Sequence, residues 1–265
     1  MKIKKLILFL IPVLALSSCG KKKTFTIEGT LQGGAGKYVY IEEIAPKEII
    51  PIDTIKLDNN GHFVFTYEMP YQSFYNIKVN NADFVTLLPD YDETILFTGD
   101  YNRLSPTYEV QGSQGSVMLW QLNDFYKYGL LRLDSIARAY DKLVADCKGD
   151  TNCIKRQKPL LDSVYVNAND EQQQYIISFI ERNKGSLATL IALYKPFNGK
   201  PLINPRTADF YYYEEVADGL DEALPENPHT LHFRNTVEHM RVQQTLQQSQ
   251  QPQAIVSMGH NQNQQ

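Results

Sequence analysis

The chain has 265 residues, of which 43% are hydrophobic and 21% are charged, and its formal net charge is −4 at pH 7. A chain of this length can bury enough apolar surface for two modest hydrophobic cores. The acidic balance argues against a nucleic-acid partner, because phosphate backbones attract basic surfaces.

The N-terminus has the pattern of a bacterial lipoprotein signal peptide. A basic start precedes an apolar run at residues 6–16, which is too short to span a bilayer as a helix. The LSSC sequence that follows fits a lipobox, in which Cys19 is diacylated and becomes the new N-terminus; an ordinary cleavable signal is the alternative. More than one acyl chain is enough for stable anchoring. We expect a signal peptide at 1–18 and a lipidated, basic tether at 19–23.

Processing of this kind changes the charge and the cysteine count. Cleavage removes three of the 26 basic residues and none of the 30 acidic residues, so the mature chain carries about −7. With Cys19 lipidated, Cys147 and Cys153 remain, which is an even number of cysteines in an oxidising compartment.

Residues 24–112 have the pattern of an all-β region. Short segments rich in β-branched and aromatic residues are separated by turn sequences, without an intervening helical period. The strongest hairpin signal is Asn60-Gly61, between two alternating segments. The regular spacing predicts an antiparallel β-sandwich or open barrel.

The following region, residues 113–250, has a helical period. Apolar residues three or four apart at 119–144 predict a long amphipathic helix, and a second series ends at Ile180. Gly185 suits the position after a helix C-terminus, and Ser186 suits the N-cap of the next helix. Shorter segments bring the expected total to about five helices.

The predicted fold class is therefore α+β, with an N-terminal antiparallel β-sandwich or open barrel followed by a helical segment. The last stretch, residues 251–265, is rich in Gln and Asn and poor in apolar residues. Such a composition predicts disorder.

Cys147 and Cys153 are six positions apart. In a continuous helix they would lie about 9 Å apart along the axis, beyond the reach of a disulfide. Gly149 can end one helix, and Asp150 and Thr151 can begin the next, so a helix–turn–helix corner can bring the two cysteines together. The spacing differs from the C-x-x-C of dithiol oxidoreductases. We therefore favour a structural disulfide over free thiols or a catalytic redox pair.

No other pattern predicts a catalytic or metal site. His229, His232 and His239 are too loosely spaced for metal ligands and favour a solvated helix face. The acidic residues at 90–100 lack the pattern of a calcium loop. The nucleophile-elbow, phosphate-loop and zinc-protease motifs are missing. We expect no catalytic residue, no metal and no cofactor, and no ligand-binding residue can be assigned from the sequence.

Several segments resemble one family of Bacteroidetes-type lipoproteins. In this family a small β-sandwich domain of unknown function (DUF4369-like) and a helical segment precede a thioredoxin-like domain of the TlpA/ResA class, within the AhpC/TSA-type thiol-disulfide oxidoreductases. The resemblance covers about residues 24–259. The segments that carry it are FTIEGTLQGGAGKYVYIEE, IDTIKLDNNGHFVF, LLPDYDETILFTGD and YIISFIERNKGSLATLIALY.

The sequence departs from this family at its C-terminus. In family members a glycine such as Gly259 is followed by an A-P-D-F-like stretch and by a thioredoxin domain with a W-C-x-x-C motif. Here Gly259 is followed by HNQNQQ, and Trp120 has no cysteine beside it. The family's catalytic cysteines therefore have no counterparts in this sequence.

The resemblance implies a membrane-anchored, non-catalytic N-terminal module that positions a partner or substrate for a thiol-disulfide oxidoreductase. The expected partners are the membrane, through the lipid anchor, and a separately encoded thioredoxin-like protein. The expected location is the cell envelope, at the outer membrane facing the periplasm, because no acidic residues directly follow Cys19. One alternative is a stand-alone binding protein for a peptide, glycan or protein. The other is a weak dithiol oxidant that acts through Cys147 and Cys153.

Overall fold

A computed structural model describes residues 23–250, with strands in the N-terminal part and helices in the C-terminal part. The predicted signal peptide at 1–18, the predicted lipidation site Cys19 and the predicted disordered tail at 251–265 lie outside the described residues. The strands are β1 (Thr24–Gln32), β2 (Tyr38–Ile44), β3 (Ile49–Lys56), β4 (His62–Glu68), β5 (Phe74–Lys78), β6 (Phe84–Leu87), β7 (Thr94–Asp100), β8 (Glu109–Gln111), β9 (Pro196–Phe197) and β10 (Lys200–Pro201). The helices are α1 (Leu104–Thr107), α2 (Gln114–Asp146), α3 (Thr151–Arg182), α4 (Ala188–Leu193), α5 (Phe210–Ala223) and α6 (Pro228–Gln250).

The first eight strands form two four-stranded sheets, in the orders β4-β1-β7-β8 and β3-β2-β5-β6. Buried and exposed residues alternate along β1, so one face of the strand lies in the core. All neighbouring strands of the two sheets are antiparallel except β1 and β7, which are parallel. The α+β class predicted from the sequence is confirmed.

The turn at Asn60-Gly61 does not form the predicted hairpin. It joins β3 to β4, which lie in different sheets. Asp58 Oδ1 accepts the N–H of Asn60 (2.7 Å) and the N–H of His62 (2.8 Å), which holds the turn. Gly61 has a φ of 77° and lies so close to the carbonyl of Leu31 that a Cβ would collide with it. Asn60 and Gly61 therefore predict that the chain reverses here, but they do not predict that β3 and β4 pair with each other.

Five helices follow the sandwich among residues 23–250, as the sequence predicted, and the first two form a long hairpin. The Phe125 and Tyr175 rings stack across this hairpin with centroids 3.8 Å apart. Gly129 allows the side chain of Gln172 to pack directly against α2. None of the helices in the described part of the chain is both long enough and apolar enough to cross a membrane.

The sandwich and the helices are joined around a buried histidine at the start of α6. His229 is 6% exposed, and its Nε2 lies 3.0 Å from the hydroxyl of Ser73. Its ring packs edge-on against Phe74, which belongs to the hydrophobic core of the helical region. The expected solvated helix face is therefore wrong for His229, because this residue lies in the contact between the two regions.

The environment of His229 favours the neutral imidazole. Burial, with a smaller contribution from the nearby His232, lowers the pKa of His229 from 6.5 to about 4. In the unfolded chain the pKa returns to its ordinary value. The unfolded state therefore binds a proton at a higher pH than the native state, and acidification favours unfolding.

We predict that the free energy of unfolding falls as the pH decreases from 6.5 to about 4 because His229 stays neutral only in the native state. A shift of this size corresponds to about 3 kcal/mol. Urea unfolding at several pH values should show a flatter dependence for His229→Gln, which retains an amide for Ser73 and does not titrate. His232→Gln, on the same helix, should keep most of the wild-type slope. Equal slopes for wild type and His229→Gln would show that His229 is not the titrating group.

Candidate functional site

A groove of about 600 Å³ lies where the sandwich meets the first turns of α2. The edge strands β6 and β8 come from different sheets, and α2 packs against both of them. Backbone and side chains of β6 form one wall, and residues 105–109 form another. Residues at 119–130 of α2, together with Ile191 and Lys195, complete the lining.

Two serine hydroxyls fix the start of α2 against the end of β6. Ser113 is the N-cap of α2 and accepts the N–H of Ser116. The Ser113 hydroxyl donates to the carbonyl of Leu88 (3.2 Å), and Ser116 Oγ accepts the Leu88 N–H (3.1 Å). Between them, Gly115 lies so close to Leu88 that a Cβ would collide with its carbonyl oxygen. This close approach sets the position of α2 relative to the sandwich.

A chain of polar side chains lies along the groove. The Lys195 ammonium donates to Asn123 Oδ1 (2.7 Å), and Asn123 Nδ2 donates to the Tyr108 hydroxyl (3.2 Å). Lys195 Nζ also lies 4.7 Å from the centre of the Tyr126 ring. The indole N–H of Trp120 donates to the Tyr108 carbonyl (3.0 Å) and so fixes the indole beside this chain.

The Lys195 charge is only partly compensated. Burial lowers the pKa of Lys195, and no carboxylate of residues 23–250 contributes an opposing shift. Burial also raises the pKa of Tyr108, while the hydrogen bond from Asn123 partly opposes that rise. The hydroxyl of Tyr108 accepts from Asn123, and its own proton remains available for donation.

The groove can therefore bind an anionic group beside apolar and aromatic surface. The ammonium has three N–H groups, of which Asn123 accepts one, so Lys195 can donate to a ligand. The other charged residues of the lining are Glu109, Asp124 and Lys127, and all three are exposed. Among these, Lys127 donates to the carbonyl of Pro106 (3.0 Å).

The two cysteines singled out in the sequence lie at the far end of the long hairpin. Cys147 and Cys153 are joined as a disulfide, with Cα atoms 5.7 Å apart. Gly149 has a φ of 78°, and Asp150 accepts the Asn152 N–H as the N-cap of α3, so the chain turns between the helices. The bond lies about 40 Å along the helix axis from Trp120, on the usual rise per residue. The disulfide is therefore separate from the groove.

The disulfide closes a part of the hairpin that has little core of its own. In α3, buried residues begin only at Ala168, and Leu143 is the sole buried residue of α2 beyond Gly129. Two helices that bury so little apolar surface separate easily. A covalent bond at their tip holds the hairpin together.

The sequence did not identify the residues of the groove. Lys195 lies just after the buried helix α4 and before Pro196. A lysine at the end of a helix is usually expected to be exposed to solvent. Asn123 lies on α2 among apolar residues, where its packing against Lys195 depends on how α4 is placed. Only the three-dimensional arrangement brings these side chains together.

We predict that the Cys147–Cys153 bond stabilises the hairpin and carries no oxidoreductase activity. The oxidised protein should be two hydrogen atoms lighter than the dithiol. The double variant Cys147→Ser/Cys153→Ser should lose about 2 kcal/mol of stability, the chain-entropy value for so small a ring. Hydrogen exchange should increase mainly at the hairpin tip, and reduced wild type should behave like the double variant.

An insulin-reduction assay distinguishes this role from catalysis. Activity that disappears in Cys153→Ser would contradict the structural interpretation. Rapid alkylation of both cysteines in the native protein would also contradict it, because thiols rather than a disulfide would then be present.

Comparison with known proteins identifies one family match. Residues 25–117, which comprise the sandwich and the first residues of α2, match the family model described as a domain of unknown function (DUF4369). No curated protein matches the chain. The resemblance noted in the sequence is thus confirmed in its coarser form: the N-terminal part is similar to this domain of unknown function.

Proposed function

We propose that this chain is the non-catalytic, membrane-anchored module of an envelope lipoprotein of the thiol-disulfide oxidoreductase type. It holds a partner or substrate polypeptide in the groove between the sandwich and α2. A thioredoxin-like domain outside residues 23–250 performs the exchange chemistry. Lipidation at Cys19 keeps the module at the periplasmic side of the outer membrane.

The groove is the observation that carries this proposal. It lies next to the junction of the two regions, and its lining combines the indole of Trp120 with the polar chain from Lys195 to Tyr108. Protein recognition sites commonly combine aromatic surface with a few fixed polar groups. The groove also lies partly within residues 25–117, the segment that matches the domain of unknown function.

The position of the disulfide supports a non-catalytic role. Cys147 is buried and Cys153 is half-buried, and Gln157 Nε2 lies within hydrogen-bonding distance of both sulfur atoms. Their separation of six positions differs from the C-x-x-C of dithiol oxidoreductases, and the bond lies far from the groove. We therefore assign thiol-disulfide exchange to a thioredoxin-like domain and assign binding to residues 23–250.

A stand-alone envelope binding lipoprotein is the second candidate. The partly compensated charge of Lys195 favours it, because an ammonium in a groove can recognise an anionic ligand without any catalytic partner. In this case the ligand is a peptide, a glycan or a protein that the chain binds alone.

We predict that the full chain lowers the KM of a TlpA/ResA-class thioredoxin-like domain for a disulfide-containing polypeptide several-fold and leaves kcat unchanged. The physical reason is that the module concentrates the substrate near the catalytic domain. The measurement is the rate of disulfide reduction at increasing substrate concentration, with and without the chain.

Two lysine variants make this test specific to the groove. Lys195→Met should weaken the effect on KM, whereas Lys200→Met, at an exposed lysine in β10, should retain the full effect. An unchanged KM with wild-type chain would reject the oxidoreductase role. If a small ligand then raises the melting temperature of the chain alone, the stand-alone binding role is the correct one.

A further inference from the structure

The outer edge of β6 presents free backbone groups to the groove. Val79 N–H donates to the Asp83 carbonyl (3.1 Å), which closes the turn between β5 and β6. In an antiparallel ladder, hydrogen-bonded pairs alternate with pairs that are not hydrogen-bonded. Val79 and Asp83 form a hydrogen-bonded pair, so the next one towards the C-terminus of β6 is Ile77 with Val85. The N–H and C=O of Phe84 and Thr86 therefore point away from β5. Because β6 is the last strand of its sheet, these groups lie on an open edge.

The position of Leu88 supports this alternation. Leu88 is two residues beyond Thr86, so its N–H and C=O also point away from β5. The Leu88 N–H donates to the Ser116 hydroxyl, and the Leu88 carbonyl accepts from the Ser113 hydroxyl. The start of α2 thus takes the place of a neighbouring strand at this one position. Among residues 23–250, no hydrogen bond pairs the outward backbone groups of Phe84 or Thr86.

The open part of this edge faces the groove. Phe84, Val85 and Thr86 all line it, although Val85 itself is only 3% exposed and packs in the sandwich core. The accessible surface of this edge therefore comes from Phe84 and Thr86. The Phe84 side chain is 43% exposed and adds an aromatic surface beside the edge.

An extended polypeptide is the ligand that these groups fit. Only a strand presents N–H and C=O groups at the spacing of an open sheet edge, and unpaired edges are common sites of strand addition. A saccharide carries hydroxyl groups without this regular alternation. The Lys195 ammonium, in the same groove, adds a site for a carboxylate.

We propose that the groove binds an extended peptide segment, which pairs with β6 at Phe84 and Thr86 and places a carboxylate on Lys195. This inference rests on the proposed function, since it states how the module holds its partner. Pairing with the edge supplies affinity independent of sequence, and Lys195 selects an acidic residue at one position. Trp120 lies beside the bound peptide.

The test uses the full chain and a library of synthetic peptides. Each is an N-acetylated, C-amidated hexapeptide of alternating valine and threonine, with aspartate, asparagine or lysine substituted at one position. Trp120 is the only tryptophan of the chain, so its fluorescence reports binding directly. Blocked termini ensure that an aspartate side chain is the source of the carboxylate; a peptide with a free C-terminus tests the other source.

We predict that aspartate peptides bind at least tenfold more tightly than asparagine or lysine peptides, because neither asparagine nor lysine supplies an anionic partner for the Lys195 ammonium. Lys195→Met should remove this preference, and Lys200→Met should not. Thr86→Pro should weaken all peptides, because proline removes the outward N–H while no backbone hydrogen bond to β5 depends on that group. Thr86→Val also lacks the hydroxyl that donates to Asn76 but keeps the outward N–H, so it should lose much less affinity than Thr86→Pro.

Methylated peptides keep the proposal testable if Thr86→Pro fails to fold. N-methylation at alternate positions should abolish binding to the wild-type chain in one register and leave it nearly unchanged in the other. The proposal is overturned if no peptide binds with a Kd of about 1 mM or tighter, which corresponds to about −4 kcal/mol. It is also overturned if methylation leaves binding unchanged in both registers, or if oligosaccharides bind instead.

Failure of this inference is distinguishable from failure of the proposed function. The peptide measurements need no thioredoxin-like domain. Peptide binding without any effect on the KM of that domain would reject the oxidoreductase role and retain strand addition. An effect on KM without peptide binding would reject strand addition and retain the oxidoreductase role.

Discussion

The contact between Leu88 and the first turn of α2 is the constraint on which the arrangement of the two regions depends. An unpaired backbone N–H or C=O at a buried position costs free energy, and here two serine hydroxyls pair both groups of Leu88. The Ser113 hydroxyl also accepts the Ser116 N–H at the start of the helix, so one small cluster pairs backbone groups of both the sheet edge and the helix end. Gly115 makes this possible because any larger residue would push the helix away.

This contact also accounts for the groove. It covers the sheet edge at one position and then directs α2 away from β6, so the remaining edge is not covered by the helix. The side chains that define the polar part of the groove come from α2 and from the segment after α4, which are positioned by the helical core. Changes in helix packing would therefore alter the groove without changing any residue of the sandwich.

Much of the fold follows from local patterns, and the site does not. Strand alternation and helical period separate the two regions, and Gly149 with Asp150 locates the corner between α2 and α3, because these signals act within a few residues. Gly185 shows the limit of this reasoning. It suits the position after a helix C-terminus, where glycine usually adopts a positive φ, yet the φ of Gly185 is not positive; a Cβ there would instead meet Ala223 of α5. The pairing partners of β3 and β4, the burial of His229 and the position of Lys195 likewise depend on distant segments.

The parallel pairing of β1 with β7 has a consequence for how the chain folds. Thr26 pairs with Thr94, so the first strand cannot complete its place in the sheet until almost seventy further residues are available. The chain loses loop-closure entropy before such non-local contacts can form and stabilise the sheet, and these contacts therefore slow folding. The antiparallel pairs β2–β3 and β5–β6 are local and can form early. During synthesis both edges of β1 stay open until β4 is available, and the edge that accepts β7 stays open for longer still. In that interval β1 is the segment of the sandwich most exposed to aggregation.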